Sequence, residues 1–308
     1  MILTVTFNPA VDHTLRIADK PASGRVHRAT AGGQFDAGGK GINVSQYLSA
    51  LGSDTVATGL LGGFTGEYIR SVLSEEPFET IFVNLPSPTR INTTVHAADG
   101  EYKFNESGPE ATDAAVDELV SWATALQPDR IAVAGSLPPG IDTEAIDRLS
   151  RAGSWKTDVD VGGALLTRLS AAYDTCKPNE SELAEAVGRS IESVEDAVSA
   201  ARELLDEGFE RVVTSLGADG AVLVTREEAL YAEAIETEVV DTVGAGDSLF
   251  AGVLASLESG ASEATALRTG IAVAGAVVAT SGTSPPAFEN LDSVSDRVTV
   301  RSVSLTPE

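Results

Sequence analysis

Cysteine is nearly absent: Cys176 stands alone among 308 residues. One thiol excludes a disulfide framework and a thiolate metal cluster. Long apolar runs are missing too. No stretch approaches the roughly 18 uninterrupted apolar residues of a membrane helix, so no membrane association is expected. Bases are scarce, 21 against 46 acids, for a formal net charge of −25. Lysine occurs only at Lys20, Lys40, Lys103, Lys156 and Lys177. That balance excludes a basic face for nucleic acid. No basic segment precedes the strand-like opening Met1-Ile2-Leu3-Thr4-Val5-Thr6. A secretory leader is therefore not expected, and a cytoplasmic location is.

What is present is an ordinary core under an acidic surface. Hydrophobic residues make up 43% of the chain, enough at this length to bury a sizeable core. The acids are spread through periodic apolar segments rather than gathered in a tail. This is the composition of a salt-adapted cytoplasm, as in a halophilic archaeon, where counterions screen self-repulsion.

Strand and helix patterns alternate for most of the length. Strand patterns fall at 1–6, 54–59, 80–84, 130–134, 157–161, 211–215 and 221–225, with a β-branched run at 238–240. Helical spacing marks 41–51, 66–73, 112–126, 143–151, 165–170, 192–207, 247–257 and 263–280. The alternation predicts an α/β fold with a mostly parallel central sheet flanked by helices. Two regions break the rhythm. Segments 13–17 with 25–31, and 91–97 with 101–105, read as short strands, the latter pair joined by the turn Ala98-Asp99-Gly100. They predict a small antiparallel β lid, from about 12–34 and 88–106, on a single domain spanning 1–308.

The most informative segment is Asp241-Thr242-Val243-Gly244-Ala245-Gly246-Asp247. Two glycines and an acid open a helical pattern, which leaves backbone N–H groups as an anion site. Asp247 sits at that site as a candidate base for a hydroxyl. Phosphoryl transfer needs both parts together. Alone, the segment reads rather as a glycine turn whose acid complements the helix dipole, and the rest of the chain decides.

Five further segments bear on the choice. Asn8-Pro9-Ala10-Val11-Asp12 follows the first strand, where α/β sheets collect ligands, and Asp12 either binds vicinal hydroxyls or serves the turn. In Gly38-Gly39-Lys40-Gly41-Ile42-Asn43, Lys40 offers a point charge to a phosphate and Asn43 a hydrogen bond to a sugar hydroxyl. Thr89-Arg90-Ile91-Asn92 offers a forked guanidinium. In Cys176-Lys177-Pro178-Asn179-Glu180-Ser181-Glu182, after a short strand, Asn179 and Glu182 read as a helix capping box, or as a pair ordering water around Mg²⁺. Ser215-Leu216-Gly217-Ala218-Asp219-Gly220 is a glycine loop between strands, either a nucleotide contact or a hairpin.

Taken in order, with Gly135-Ser136-Leu137-Pro138-Pro139-Gly140 after a central strand, these motifs resemble the ribokinase/PfkB family of carbohydrate kinases over roughly the whole chain. Within it the details are most similar to 1-phosphofructokinases and the related tagatose-6-phosphate kinases. The resemblance implies a ribokinase-like fold and assigns roles. Asp247 is the general base, with Gly244, Ala245 and Gly246 forming the anion hole. Asp12, Gly39, Asn43 and Ser136 bind the sugar, while Lys40 and Arg90 bind the phosphate it already carries. Asn179, Gly246 and Ser215, Leu216, Gly217, Ala218, Asp219 and Gly220 contact ATP, and Glu182 helps to place Mg²⁺. The implied reaction is ATP-dependent phosphorylation of the 6-hydroxyl of fructose 1-phosphate. A 6-phosphofructokinase or tagatose-6-phosphate kinase is the alternative, and a non-catalytic sugar-phosphate sensor is a third reading. Asp158-Val159-Asp160-Val161-Gly162-Gly163 departs from the family pattern, with Gly162 in place of a small hydroxyl residue; its role stays open. The alternating lid strands lead to the expectation of a homodimer through the lid.

Overall fold

The structure, a computed structural model, describes residues 1–280, 285–288 and 290–304. Positions 281–284, 289 and 305–308 of the expected domain lie outside the described residues. Chain order begins β1 Ile2–Thr6, β2 Ala10–Arg16, β3 Gln34–Gly38, α1 Lys40–Ala50, β4 Thr55–Gly62, α2 Gly63–Leu73 and β5 Glu79–Leu85. It continues through β6 Arg90–Ala97, β7 Gly100–Asn105, α3 Asp113–Leu126, β8 Arg130–Ala134, α4 Glu144–Arg151, β9 Lys156–Asp160 and α5 Gly163–Leu166. Then come β10 Tyr173–Cys176, α6 Glu180–Val187, α7 Val194–Asp206, β11 Phe209–Ser215, β12 Ala221–Val224 and β13 Ala229–Ala232. Last are α8 Ala245–Glu258, α9 Glu263–Val278, α10 Leu291–Ser295 and β14 Val300–Ser302.

Ten strands form the main sheet in the order β14-β13-β12-β11-β10-β9-β8-β1-β4-β5. From β5 to β11 the pairings are parallel, and β12, β13 and β14 close one edge antiparallel. Every residue of β1 and β4 is buried, as a parallel strand covered on both faces requires. Alternation splits β1 between two cores. Leu3 and Val5 pack with Val116, Leu119 and Ile146. Ile2 packs with Val44, Leu48, Phe250 and Leu254. Among the described residues no helix is long and apolar enough to cross a membrane.

Chain order reverses between β1 and β8, the switch point at which open α/β sheets gather ligands beyond their carboxyl ends. Because β1, β8, β9, β10 and β11 are parallel, Asn8, Ser136, Asp160, Lys177 and Ser215 all stand at one end of the sheet.

Beside it lies a four-stranded sheet, β3-β2-β6-β7. Its β2/β3 and β6/β7 pairs are antiparallel, and β2 and β6 run parallel. The expected strand at 25–31 is not formed; this segment meets the lid through an Ile17–Ala29 bridge and through Thr30, whose N–H and Oγ1 both donate to Arg16 O. Arg25, His27 and Arg28 give it no apolar face. Its place is taken by Gln34–Gly38, a segment outside the strand patterns of the sequence. The expected strand at 238–240 is also absent, because β14 already occupies the sheet edge beside β13. Val239 stays 62% exposed, and Val240 N–H donates to Val278 O on α9. Strands β13 and β14 had no counterpart in the sequence reading.

Candidate active site

Gly244 precedes α8 with a φ of 80°. A Cβ there would meet Tyr47 Oη at 2.4 Å, so glycine alone fits this left-handed turn. Ala245, Gly246 and Asp247 form the first turn of α8, whose donors lack intrahelical acceptors. Asp247 is buried, and Asn43 Nδ2 of α1 donates to its Oδ2 at 2.8 Å. Burial raises the Asp247 carboxyl, and Asp160 raises it further. Lys40, the Asn43 hydrogen bond and Lys177 hold it back, leaving it at about 6. Such a group is ionised at neutral pH yet basic enough to take a hydroxyl proton.

A cluster of charge adjoins it. Asp160, the last residue of β9, is fully buried. Its Oδ1 accepts from Lys40 Nζ at 2.9 Å, and its Oδ2 lies 3.1 Å from Lys177 Nζ. Burial would raise the Asp160 carboxyl, but Lys177 and Lys40 overcome it and hold it below the usual range. Burial likewise works against the Lys40 ammonium, and Asp160, Glu182 and Asp247 outweigh it, raising its pKa. Lys40 also stands 3.7 Å from Glu182 Oε1.

On the lid, Asp12 Oδ1 accepts from Asn92 Nδ2 at 2.9 Å. A Cβ on Gly38 would lie 2.0 Å from Asp12 Oδ2, so the glycine makes room for this carboxylate. Burial raises the Asp12 carboxyl, against Asn92 and Arg90. Arg90 donates from Nε and Nη2 to Asn8 O and from Nη1 to Glu106 O. Asn8 Nδ2 reaches across the switch point to Ser136 Oγ at 3.2 Å. Gly39 caps α1 and accepts from Asn43 N–H. Lys40 and Arg90 had been expected to flank one phosphate. Their partners differ: Lys40 belongs with Asp160 and Glu182, and Arg90 with Asn8, Glu106 and Asp12.

At the third part of the site, Asn179 and Glu182 form a full capping box on α6. Glu182 Oε2 accepts from Asn179 N–H at 2.9 Å, which leaves Oε1 outside the box. Asn179 bridges to Ser215, and Gly217–Asp219 makes one 3₁₀ turn before β12. Leu216 is buried, and its N–H donates to Gly220 O while its carbonyl accepts from Asp219 N–H. Among the described residues no group of three or more His, Cys, Asp or Glu side chains is placed to hold a metal.

A family model, pfkB family carbohydrate kinase, matches residues 5–290. The chain belongs to the PfkB family of carbohydrate kinases. It is 54% identical to a 1-phosphofructokinase of Haloferax volcanii, over 94% of this chain and 95% of that protein. It is 36% identical to a 1-phosphofructokinase of Bacillus subtilis, over 88% and 90%. The crystal structure of phosphofructokinase-2 from Escherichia coli in complex with potassium superposes with a TM-score of 0.88 at 29% identity, covering 96% of this chain and 98% of that one. Membership implies ATP as the phosphoryl donor.

Several residues of this PfkB kinase site had no role in the sequence reading. Lys177 and Asn92 lay inside quoted motifs, and Asp160 inside the segment left open. Asn8 and Tyr47 complete the set. Asn43 Oδ1, Asn92 Oδ1 and Asn8 Oδ1 are buried without a hydrogen-bond partner. Such orphan acceptors need a ligand or water to satisfy them. In the sequence no shared local signal marks them: Asn8 follows a strand-like run, Asn43 falls inside a helical pattern and Asn92 inside a lid-strand pattern.

Proposed function

We propose that this kinase transfers the γ-phosphoryl group of MgATP to the 6-hydroxyl of fructose 1-phosphate, giving fructose 1,6-bisphosphate and ADP. The observation that carries the reading is Asp247, a buried carboxylate at about 6, set in the first turn of α8 beside Gly244 and Gly246. The acceptor oxygen bonds to the γ-phosphorus as the bond to the bridging oxygen of ADP breaks, and the hydroxyl proton passes to Asp247. First-turn N–H groups of α8 stabilise the transferring group. Asp12, Asn92 and Asn43 bind sugar hydroxyls, a role supported for the two asparagines by their unpartnered buried Oδ1 atoms. Arg90 binds the 1-phosphate. Lys40 serves the γ-phosphoryl rather than the sugar phosphate, because Asp160, Glu182 and Asp247 are its neighbours. Magnesium is carried by ATP and neutralises its phosphates, and Glu182 Oε1 faces that side. The loop Ser215–Gly220 and Asn179 take the nucleotide.

The test is an ADP-release assay in molar-range salt, comparing fructose 1-phosphate, fructose 6-phosphate, tagatose 6-phosphate and free fructose. Fructose 1-phosphate is expected to have the highest kcat/KM. An equal or higher value for another sugar overturns the substrate assignment.

A second copy of the chain covers the lid. Lid register supports this. Phe35, His13, Thr93 and Phe104 stand in one cross-strand row, so they share a face. The adjacent row, Asp36, Asp12, Asn92 and Asn105, shares the opposite, polar face that carries the site. Phe104 is 61% exposed on the apolar side.

A further inference from the structure

Asn8 is 4% exposed and stands between β1 and β2, where the main sheet hands over to the lid. Its backbone carbonyl accepts from Arg90 Nη2 at 3.0 Å and from Nε at 3.3 Å. Its side-chain nitrogen donates to Ser107 O at 3.0 Å, in the loop after β7, and to Ser136 Oγ at 3.2 Å, beyond β8. One residue thus touches three segments that meet at the acceptor end of the site. A Cβ on Gly108 would come within 2.2 Å of Asn8 Oδ1, and glycine at a φ of 91° keeps that space.

The chemistry of these partners fixes the direction of each bond. Ser107 O is a carbonyl oxygen and can only accept, so the nitrogen of the Asn8 amide must face it. The second hydrogen of that nitrogen then points at Ser136 Oγ, which acts as the acceptor. Ser136 keeps its own proton for another partner, and no described residue accepts it. Arg90 is steadied from the same side. Asn8 O and Glu106 O take hydrogens from Nε, Nη2 and Nη1, which leaves the remainder of the guanidinium fork uncommitted.

We propose that Asn8 is a positioning residue for the phosphate already carried by the acceptor sugar: its amide turns the Ser136 hydroxyl proton outward, and its carbonyl, with Glu106 O, holds Arg90 ready for the same anion. Two donors set in advance lower the cost of ordering them when the anion arrives. The inference rests on the reading that the acceptor carries a phosphate, but not on which phosphoketose it is.

Asn8→Ala and Asn8→Asp test it, assayed by ADP release in molar salt at pH 8 with melting curves alongside. The alanine variant should raise the KM for fructose 1-phosphate by ~10–100-fold, the scale of a hydrogen bond to a charged group. Its kcat, its KM for ATP and its kcat/KM on free fructose should stay unchanged. The aspartate variant keeps the shape and, once ionised, accepts where asparagine donated. Ser136 would then turn its proton inward, and the loss on fructose 1-phosphate should exceed that of alanine. In a cycle of Asn8→Ala with Ser136→Ala the two losses should be less than additive, since one residue acts through the other. A mere brace would lower the melting temperature and move kcat and the KM for ATP as well. The inference is overturned by an unchanged KM for fructose 1-phosphate, by an equal loss on free fructose, by additive losses in the cycle, by an aspartate variant no worse than alanine, or by two Asn8 variants that cannot fold in molar salt. Wild-type protein that prefers free fructose would sink the sugar-phosphate reading and this inference together. Silent variants beside a wild type that prefers the phosphorylated sugar sink the inference alone.

Discussion

Asn43 and Asp247, 204 positions apart in the chain, are joined by a 2.8 Å hydrogen bond from Nδ2 to Oδ2. The bond ties the first long helix to the helix that opens with the anion site. It also fixes the plane of the Asp247 carboxylate and commits only one oxygen. The carboxyl is thus oriented by one helix and raised by its burial in another.

That arrangement sets function against stability at one residue. Asp247 stands at about 6 against an ordinary 3.8. Its folded pKa is raised, so its favourable contribution is complete below 3.8 and lost as pH rises through about 6. Activity has the opposite sign, since the base must be ionised. Asp247→Asn is expected to lower kcat by ~10²–10⁴ with KM nearly unchanged. It should also raise the melting temperature at pH 8, with the gain shrinking towards pH 4. Steady-state kinetics and calorimetry across that range check both. A variant with most of its turnover, or one less stable at pH 8, contradicts the assignment.

Legibility in the sequence followed locality. Asp247 and its glycines form one continuous motif, and the Asn179–Glu182 capping box is four residues long; both could be read directly. The parallel sheet was legible because its strands are short apolar runs separated by periodic helices. Asp160 was not, because its meaning lies in Lys40, 120 positions away, and in Lys177 just past the end of the next strand. Strand β3 was obscured by glycines on both sides. The run at 238–240 has the composition of a strand but no free edge to join. Composition reports propensity, and pairing needs a neighbour.

The acidic surface carries its own prediction. A formal charge of −25 repels itself over a Debye length that lengthens from about 3 Å at 1 M salt to about 30 Å at 0.01 M. Far-UV circular dichroism should show loss of structure as salt is dialysed away, with recovery when it is restored. An unchanged spectrum in dilute buffer would refute salt dependence.

The lid dimer can be tested without touching the site. Phe104 belongs to the apolar row, whereas Asp12 and Asn92 belong to the polar one. Phe104→Asp puts a charge where a second copy would pack, which opposes association. Sedimentation in molar salt should show a dimer for the wild type and a monomer for the variant. A monomeric wild type removes the proposal.

Arg130 carries the last prediction, at the amino half of the sheet. It is 1% exposed, and its Nη1 donates at 2.9 Å to both oxygens of Asp158 and to Asp174. Burial raises Asp158 to about 7 even though Arg130 pulls it down. Because that folded pKa is raised, the contribution of Asp158 is complete below 3.8 and is lost as pH climbs through 7. Arg130→Met would leave two buried carboxylates without their shared cation. The expected loss is ~3–5 kcal/mol at pH 8 in urea unfolding, smaller at pH 5, where Asp158 takes up a proton more readily. A triple variant with Asp158→Leu and Asp174→Leu should recover much of it, since apolar packing can replace a buried ion group. Turnover of the folded fraction should be unaffected, because the transfer site lies at the other end of the strands. A loss below about 1 kcal/mol, the scale of an exposed ion pair, would mean that water or Arg211 already stabilises those carboxylates, and that Arg130 does not hold this end of the sheet together.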